Sequence, residues 1–195
     1  MSTDSPWSDL SLVEFCDGLA DGEAGAAGAR AAAVLAATGA ALAAGAQRGN
    51  PDADGSVYAV GRADELDALR ERVLERMKVQ RDIYGKLASG LEGDELEKWK
   101  QRRVEVVLET VELAVAALRI AVVGAPETSG EFRTDLAVAA GVLASAAHAV
   151  EPEVQRSVEQ LTDKEWGTRH SMAADSLRAE AVALLLEVQT EASKA

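Results

Sequence analysis

The sequence predicts an all-α fold, a single-domain bundle of six to seven helices that pairs with a second copy of itself. Apolar residues recur at helical spacing, and no stretch alternates as a half-buried strand would. Aromatic residues make up only 4% of a chain that is 48% apolar, so Ala, Val and Leu must build the core at close helix distances. The length of 195 residues suits one domain with a full hydrophobic core.

The N-terminal part predicts a tail, a short helix and a buried helix. Residues 1–9 are acidic and have neither a basic nor an apolar stretch, so they do not form a secretory signal. Ser11 and Glu14 have the spacing of a capping box and begin the first helix. A glycine-rich turn that ends at Gly28 leads into the alanine run Ala31–Ala44. That run has no charged face, which predicts a central helix surrounded by protein.

Composition and charge exclude several classes of partner. The apolar stretch Ala24–Ala46 is long enough to cross a membrane, but alanine and glycine have weak lipid transfer energies and Arg30 interrupts it. The net charge of -13 argues against nucleic acid and anionic membranes as partners. Cys16 is the single cysteine, so the chain suits a reducing cytoplasm. We therefore expect a cytoplasmic protein.

The middle of the chain predicts a loop between helices. Residues 47–61 carry turn-forming residues without periodicity, which predicts an exposed loop. From Arg62 to Ser89 a single apolar stripe indicates a long amphipathic helix. Asp94 can cap the next helix, which runs to Val123 and becomes almost wholly apolar in its second half.

The C-terminal part predicts three further helices. Turn residues separate an alanine- and valine-rich stretch from an amphipathic one. Pro152 suits the first turn of a new helix. The sequence does not decide whether the last helix is broken at Gly167. The predicted elements are a loop over 124–130, a helix over 134–150, a helix from 152, and a helix that Thr162 caps and that ends near 191.

Few residues indicate chemistry by pattern alone. Gln80 lies on the apolar stripe of the long helix, where it needs a hydrogen-bond partner or a ligand, and a satisfied core glutamine is the more common case. Asp135 precedes an apolar helix, and a capping role outweighs catalysis by about two to one. Two distant histidines and one cysteine are too few for a zinc site, so we expect no bound metal.

The order of segments resembles a known family. The residues that carry the resemblance are Leu-Ser-Leu-Val-Glu-Phe at 10–15, the alanine- and glycine-rich helix, the long charged helix, and Thr-Asp-Leu-Ala-Val-Ala-Ala at 134–140. Together they resemble the formiminotransferase-cyclodeaminase C-terminal family, which includes methenyltetrahydrofolate cyclohydrolases. The resemblance covers the chain from about Leu10 to Trp166. It implies an all-α homodimer with a small-molecule ligand in a helical cleft.

The resemblance also implies an activity on a folate one-carbon unit. A cyclodeaminase, which is an ammonia lyase, closes a ring in formiminotetrahydrofolate, and a cyclohydrolase opens the ring of methenyltetrahydrofolate. A tetrahydrofolate derivative would then be the substrate, with no tightly bound cofactor and no metal. Both reactions need a positioned acid or base. The resemblance assigns that role to Asp135.

The family's other site positions are largely changed here. Of a Pro-Thr-Pro-Gly-Gly-Gly-Ser turn, only Gly28 matches, and an aspartate on the long helix corresponds to Gln80, one turn before Tyr84. A Ser-Asp pair corresponds to Thr134 and Asp135, and two asparagines correspond to Glu153 and Ser157. The resemblance therefore implies these substrate-binding residues: Gly28, Arg30, Gln80, Tyr84, Thr134, Glu153 and Ser157.

Three functions remain open at this point. The chain could act on folate one-carbon units, or the same cleft could serve another small-molecule C–N cyclisation or hydrolysis. The third function is that of a non-catalytic dimeric scaffold or binding protein, because glutamine at position 80 cannot transfer a proton. Ligand binding in the cleft separates the second from the third.

Overall fold

The protein is an all-α helical bundle, as the sequence predicts. The computed structural model describes residues 27–50 and 57–194, and these contain no β-strand. The elements are α1 (Ala27–Gly49), α2 (Val57–Leu87), α3 (Gly93–Gly124), a short 3₁₀ turn (Ala125–Glu127), α4 (Gly130–Glu159) and α5 (Lys164–Ala192). The predicted tail at residues 1–9, the capping box at Ser11 and Cys16 lie outside the described residues.

Several helix boundaries differ from the predicted ones. The helix predicted to start near Thr134 begins at Gly130, so Asp135 lies in its second turn and does not cap it. The backbone of Ser129 is extended at the N-cap position without a side-chain hydrogen bond to the helix. The capping role predicted for Asp135 is therefore wrong. The helix starts earlier because the Gly130 backbone, at φ 56°, makes the turn that sets its direction.

The two helices predicted before and after Pro152 form one continuous helix. Pro152 lies inside α4, which continues through it to Glu159, so this proline does not start a new helix. The α5 helix also passes through Gly167 without a break. Its N-cap is Asp163, whose Oδ1 accepts a hydrogen bond from the Trp166 backbone N–H at 2.9 Å, and not Thr162. These differences give five long helices in the described residues, where we predicted six to seven for the chain.

The predicted loop at 47–61 is shorter than expected. Residues 47–49 belong to α1 and residues 57–61 belong to α2, while 51–56 lie outside the described residues. Gln47 explains the extension of α1, because its amide is buried and bonded on both sides. It donates to Thr128 Oγ1 at 3.3 Å and accepts from Arg62 Nε at 2.9 Å.

The core lies around α1, which packs against α4, α2 and α3. Its inward alanines are fully buried, which confirms the predicted central helix. Gly39 lies very close to α4, since a Cβ placed there would lie 2.6 Å from Leu143 Cγ. Gly28 lies near Ala149 and Gly49 near Phe132, so α1 and α4 run antiparallel.

The outward face of α1 is uncharged. From Ala31 to Gly45 the helix has no Asp, Glu, Lys or Arg. Leu42 is 40% exposed and Thr38 is exposed, so the described residues cover this helix on one side only. Residues 28–49 form, within the described residues, the one helix long and apolar enough to cross a membrane. Its buried alanines show that it is instead part of the bundle core.

Candidate functional site

A cluster of polar side chains forms where four helices meet beside the start of α1. Its members are buried or half-buried, although the helices around them are mostly apolar. The cluster consists of Arg30 from α1, Gln80 and Tyr84 from α2, Thr110 and Arg103 from α3, and Glu153 and Ser157 from α4. We call it the Glu153 cluster.

The Gln80 side chain has a hydrogen-bond partner for its nitrogen, and its oxygen has none among the described residues. Its side chain is 2% exposed, and its Nε2 donates to Thr110 Oγ1 at 3.3 Å. The Thr110 hydroxyl in turn donates to the Val106 carbonyl at 3.0 Å. Gln80 Oε1 is buried and has no hydrogen-bond partner among the described residues. A buried acceptor without a partner costs about 1–3 kcal/mol, so a ligand N–H or O–H at this atom would bind favourably.

Tyr84 and Glu153 form a buried hydrogen-bonded pair. The Tyr84 hydroxyl donates to Glu153 Oε1 at 3.0 Å, and Glu153 is only 5% exposed. Burial raises the pKa of the Tyr84 phenol, and the negative charge of Glu153 raises it further. The phenol therefore keeps its proton at neutral pH and donates it to the carboxylate hydrogen bond. Glu153 Oε2 lies 3.8 Å from a guanidinium nitrogen of Arg156.

Positive charge surrounds this pair. Arg103 and Arg30 lie close enough to Tyr84 that each lowers its pKa, although less than burial and Glu153 together raise it. Arg103 also donates to Gln160 Oε1 at 3.2 Å. In a chain of net charge -13, three arginines near one carboxylate create a local positive potential. A ligand with an anionic or electron-rich group is favoured there.

Gly28 and Ser157 support the cluster through the backbone. A Cβ on Gly28 would lie 3.6 Å from the Ala149 carbonyl oxygen, so this residue sits against α4 one turn before Glu153. The Ser157 hydroxyl donates to the Glu153 carbonyl at 2.6 Å and is therefore already bonded. Ser157 thus shapes the turn that carries Glu153.

Thr134 and Asp135 do not join this cluster within one chain. Both are exposed on α4. Asp135 precedes Glu153 by 18 residues on the same helix, which is about five turns or 27 Å. The role that the resemblance gives to Asp135 stays a prediction. One chain alone cannot bring this carboxylate to Glu153.

Two members of the cluster were not predicted from the sequence. Thr110 lies in the apolar half of α3 and is 1% exposed, so it binds Gln80 in the interior. Its signal was a lone hydroxyl among Val and Leu residues. Arg103 looked like one of many surface charges, and nothing in its spacing distinguished it.

A separate cleft lies on another face of α2. It has a volume of about 530 Å³ and lies between α2 and α3, with Val79, Ile83 and Trp99 on its apolar side and Arg102 and Glu105 at its rim. Arg102 donates to Glu105 at 2.9 Å, so these rim charges are already paired. None of the Glu153 cluster residues lines this cleft. We therefore place the candidate site at the cluster, where the unsatisfied and coupled polar groups are.

The Glu153 cluster is a candidate site for an organic molecule and not for a metal ion. Within residues 27–50 and 57–194, no group of three or more His, Cys, Asp or Glu side chains lies close enough to hold a metal ion. The polar atoms available to a ligand are amide, phenol, carboxylate and guanidinium groups. Groups of this kind can form hydrogen bonds to a polar organic molecule and exchange protons with it.

The shift at Tyr84 gives a testable pH dependence. Tyr58 is the other of the two tyrosines and is exposed, so a Tyr58→Phe variant isolates Tyr84. In that variant, the absorbance of the Tyr84 phenolate should rise with a midpoint above the usual value of about pH 10. Adding Glu153→Gln should lower that midpoint. The contribution of this raised pKa to stability is complete below about pH 10 and is lost as pH rises through the folded-state value. A spectrophotometric titration that places Tyr84 at or below the usual midpoint would contradict the buried pair.

Comparison with known proteins supports the fold through structure alone. No protein-family model matches the chain, and no curated protein sequence does. Among solved structures, formiminotetrahydrofolate cyclodeaminase from Thermotoga maritima is similar, with a TM-score of 0.84 and 15% sequence identity. The similarity covers 96% of this chain and 98% of that one. This chain therefore has the same all-α fold, over nearly its whole length, as a structure of the family that its sequence resembles.

Proposed function

We propose that this protein is a cyclodeaminase- or cyclohydrolase-type enzyme that closes or opens a C–N ring in a folate one-carbon unit. The observation that carries the proposal is the buried Tyr84–Glu153 pair beside Gln80, in a chain with the fold of a formiminotetrahydrofolate cyclodeaminase. The substrate would be formimino- or methenyltetrahydrofolate. The working form would be a cytoplasmic homodimer without a tightly bound cofactor or metal.

One carboxylate suffices for the ring closure. An N–H nitrogen of the substrate attacks the formimino carbon, the new C–N bond forms, and Glu153 takes the proton. The bond from that carbon to the amino group then breaks, Glu153 returns the proton to the leaving nitrogen, and ammonia departs. The Tyr84 O–H donates a hydrogen bond to the carboxylate before the first transfer and after the second. General acid–base catalysis of this kind contributes about 10²–10⁴-fold to rate.

The ring opening uses the same group. Water attacks the methenyl carbon while Glu153 takes its proton, and the ring nitrogen receives a proton as the C–N bond breaks. The net reaction releases one proton, because the cationic substrate becomes a neutral formyl product. Gln80 transfers no proton in either direction, but its free Oε1 can accept an N–H from the pterin.

A second candidate is the same cleft used for another small-molecule C–N cyclisation or hydrolysis. Gln80 favours this second candidate, because it is a neutral amide at the position where the family that the sequence resembles has an aspartate. Asp135, the other family carboxylate, lies about 27 Å from Glu153 within the chain. A non-catalytic dimeric scaffold or binding protein is the remaining alternative, and it predicts no turnover.

An absorbance assay tests the proposal. The purified protein is given methenyltetrahydrofolate and, separately, formiminotetrahydrofolate, and spontaneous hydrolysis is subtracted. Turnover of either substrate supports the proposal. Folate binding measured by calorimetry without turnover would favour a binding protein, and neither binding nor turnover would reject folate as the ligand.

Restoring the family aspartate gives a separate prediction. We expect Gln80→Asp to raise turnover about tenfold or more, because a second carboxylate would share the proton transfers. Gln80→Asn is the matched control, since it has the length of aspartate without its charge. Equal rates for the two variants would mean that position 80 only shapes the cleft.

A further inference from the structure

Arg103 carries a positive charge without a carboxylate partner, in a chain whose net charge is -13. Among the described residues it forms no ion pair, whereas its neighbour Arg102 is paired with Glu105 and Glu109, each at 2.9 Å. The Arg103 side chain is half-buried, and its Nε is buried without a hydrogen-bond partner in residues 27–50 and 57–194. A buried donor of this kind costs stability until an acceptor binds it.

The unpartnered atoms of Arg103 and Gln80 have complementary chemistry. Arg103 Nε–H is a donor and Gln80 Oε1 is an acceptor, and both belong to the Glu153 cluster. Burial raises the pKa of Tyr84, and Arg103 lies close enough to oppose that shift. Gln80 precedes Tyr84 by one turn of α2. A ligand beside Tyr84 therefore meets a donor as well as an acceptor that the protein leaves unused.

Three side chains on one side of α3 hold the corner between α4 and α5. They follow each other at intervals of three residues and are Glu97, Lys100 and Arg103. Glu97 Oε1 accepts hydrogen bonds from the backbone N–H groups of Thr162 at 2.6 Å and Asp163 at 3.2 Å. Lys100 Nζ donates to the Gln160 carbonyl at 3.0 Å. The backbone of the corner is therefore fixed to α3.

The Gln160 side chain extends from this fixed backbone to Arg103. Gln160 is the C-cap of α4, and its N–H donates to the Ser157 carbonyl at 3.2 Å. The next residue, Leu161, is 2% exposed and anchors the corner in the interior. Gln160 Oε1 accepts a hydrogen bond from Arg103 Nη2 at 3.2 Å. This bond sets the position of the guanidinium and leaves its Nε–H unbound.

We propose that Arg103 donates its Nε–H to a carbonyl or carboxylate oxygen of the ligand at the Glu153 cluster, and that Gln160 is the positioning residue that holds Arg103 for this contact. The inference rests on the proposed function for the identity of the ligand as a folate. The positioning of Arg103 by Gln160 rests only on the contacts at the corner.

The corner does not need Arg103 for its own structure. Glu97 binds two of its backbone N–H groups, and Lys100 binds the Gln160 carbonyl. Gln160 is exposed, so its side-chain amide can bond to water instead of to Arg103. The contact between the two side chains therefore adds little to the corner, but it orders a long and flexible side chain beside Tyr84.

Steady-state kinetics test the contact with the ligand. Arg103→Met keeps the stem of the side chain and removes every N–H donor, so KM for the folate substrate should rise about tenfold or more while kcat changes little. Arg102→Met is the matched control, because it makes the same change one residue earlier, in a side chain that lines the other cleft. It should leave KM unchanged. An unchanged KM in Arg103→Met would overturn the contact.

A double-mutant cycle tests whether Gln160 acts through Arg103. Gln160→Leu is similar in size and cannot accept the hydrogen bond, so KM should rise about threefold to tenfold. In the Arg103→Met background the same substitution should add nothing, because the group that Gln160 positions is absent. If the two effects multiplied in the double variant, Gln160 would act by another route and its assigned role would be wrong.

Nitrogen-15 NMR tests the positioning without an enzyme assay. The Nε–H resonance of Arg103 is the one that is missing from the spectrum of Arg103→Met. Its heteronuclear NOE should match that of backbone amides in the wild-type protein and should fall in Gln160→Leu. Gln189→Leu, which replaces an exposed glutamine on α5, is the control and should leave the NOE unchanged. An equally rigid Arg103 in Gln160→Leu would overturn the positioning.

The outcomes separate this inference from the proposed function. If the wild-type protein turns over folate and Arg103→Met has the wild-type KM, the proposed function stands and the contact fails. If the wild-type protein neither binds folate in calorimetry nor turns it over, the proposed function fails and the assigned contact fails with it. The NOE comparison between the wild type and Gln160→Leu still decides whether Gln160 holds Arg103.

Discussion

Turnover should fall by about 100-fold or more when Glu153 is replaced by glutamine, because general acid–base groups contribute about 10²–10⁴-fold. The substitution keeps the size of the side chain and an oxygen that can accept the Tyr84 hydrogen bond. It removes only the ability to take and return a proton. The measurement is kcat and KM for both folate substrates, with circular dichroism to confirm the fold. We expect kcat to fall and KM to change little.

Glu159→Gln is the control, since this residue lies on the same helix and is exposed. It should retain wild-type turnover. If Glu153→Gln also turned over substrate at the wild-type rate, the buried carboxylate would have a structural role only. The proton transfers would then belong to another group.

Gly39→Ala should lower the free energy of unfolding by about 1–3 kcal/mol, the usual cost of overfilling a packed core. The added methyl group would lie 2.6 Å from Leu143 Cγ and 3.1 Å from the Leu143 backbone nitrogen. Because a backbone atom is involved, a rotamer change cannot relieve the contact and α1 must move away from α4. Urea unfolding followed by circular dichroism measures the loss.

Gly61→Ala is the comparison that separates packing from helix propensity. It lies in α2, and nothing stands within 4 Å of a Cβ placed there. This variant should gain about 0.5–1 kcal/mol, because alanine is the better helix former. A stabilised Gly39→Ala variant would show that the two helices are less closely packed than described.

The fold class followed from periodicity because apolar side chains decide which face of a helix is buried. The stripe from Leu66 through Val73 and Met77 is buried on α2, as its spacing predicted. The alanine run was correctly assigned to the core. Its exposed side was not foreseen, because an uncharged face looks the same in sequence whether a neighbouring helix or a second subunit covers it.

Helix ends were less predictable because local signals compete with packing. Pro152 is favourable in a first turn, but the α4 contacts with α1 and α5 continue the helix through it. Asp135 has the chemistry of a cap, yet the turn at Gly130 starts the helix five residues earlier. Such outcomes depend on contacts between residues far apart in the chain.

The candidate site was predicted in part. Gln80 was expected to need a partner, and that partner is Thr110, which lies 30 positions further along the chain. The pairing of Tyr84 with Glu153 spans 69 positions, so spacing could not reveal it. The resemblance supplied both residues as separate ligand contacts. Only the structure shows that they bind each other.

The origin of the Glu153 cluster in four separate helices has a consequence for folding. Arg30, Tyr84, Thr110 and Glu153 approach one another only when α1 to α4 are all in place. The α2–α3 pair brings Gln80 to Thr110, but Tyr84 reaches Glu153 only when α4 is packed as well. Ligand binding therefore reports on the cooperative native state as a whole, and a chain with one helix detached would lose recognition completely rather than by degrees.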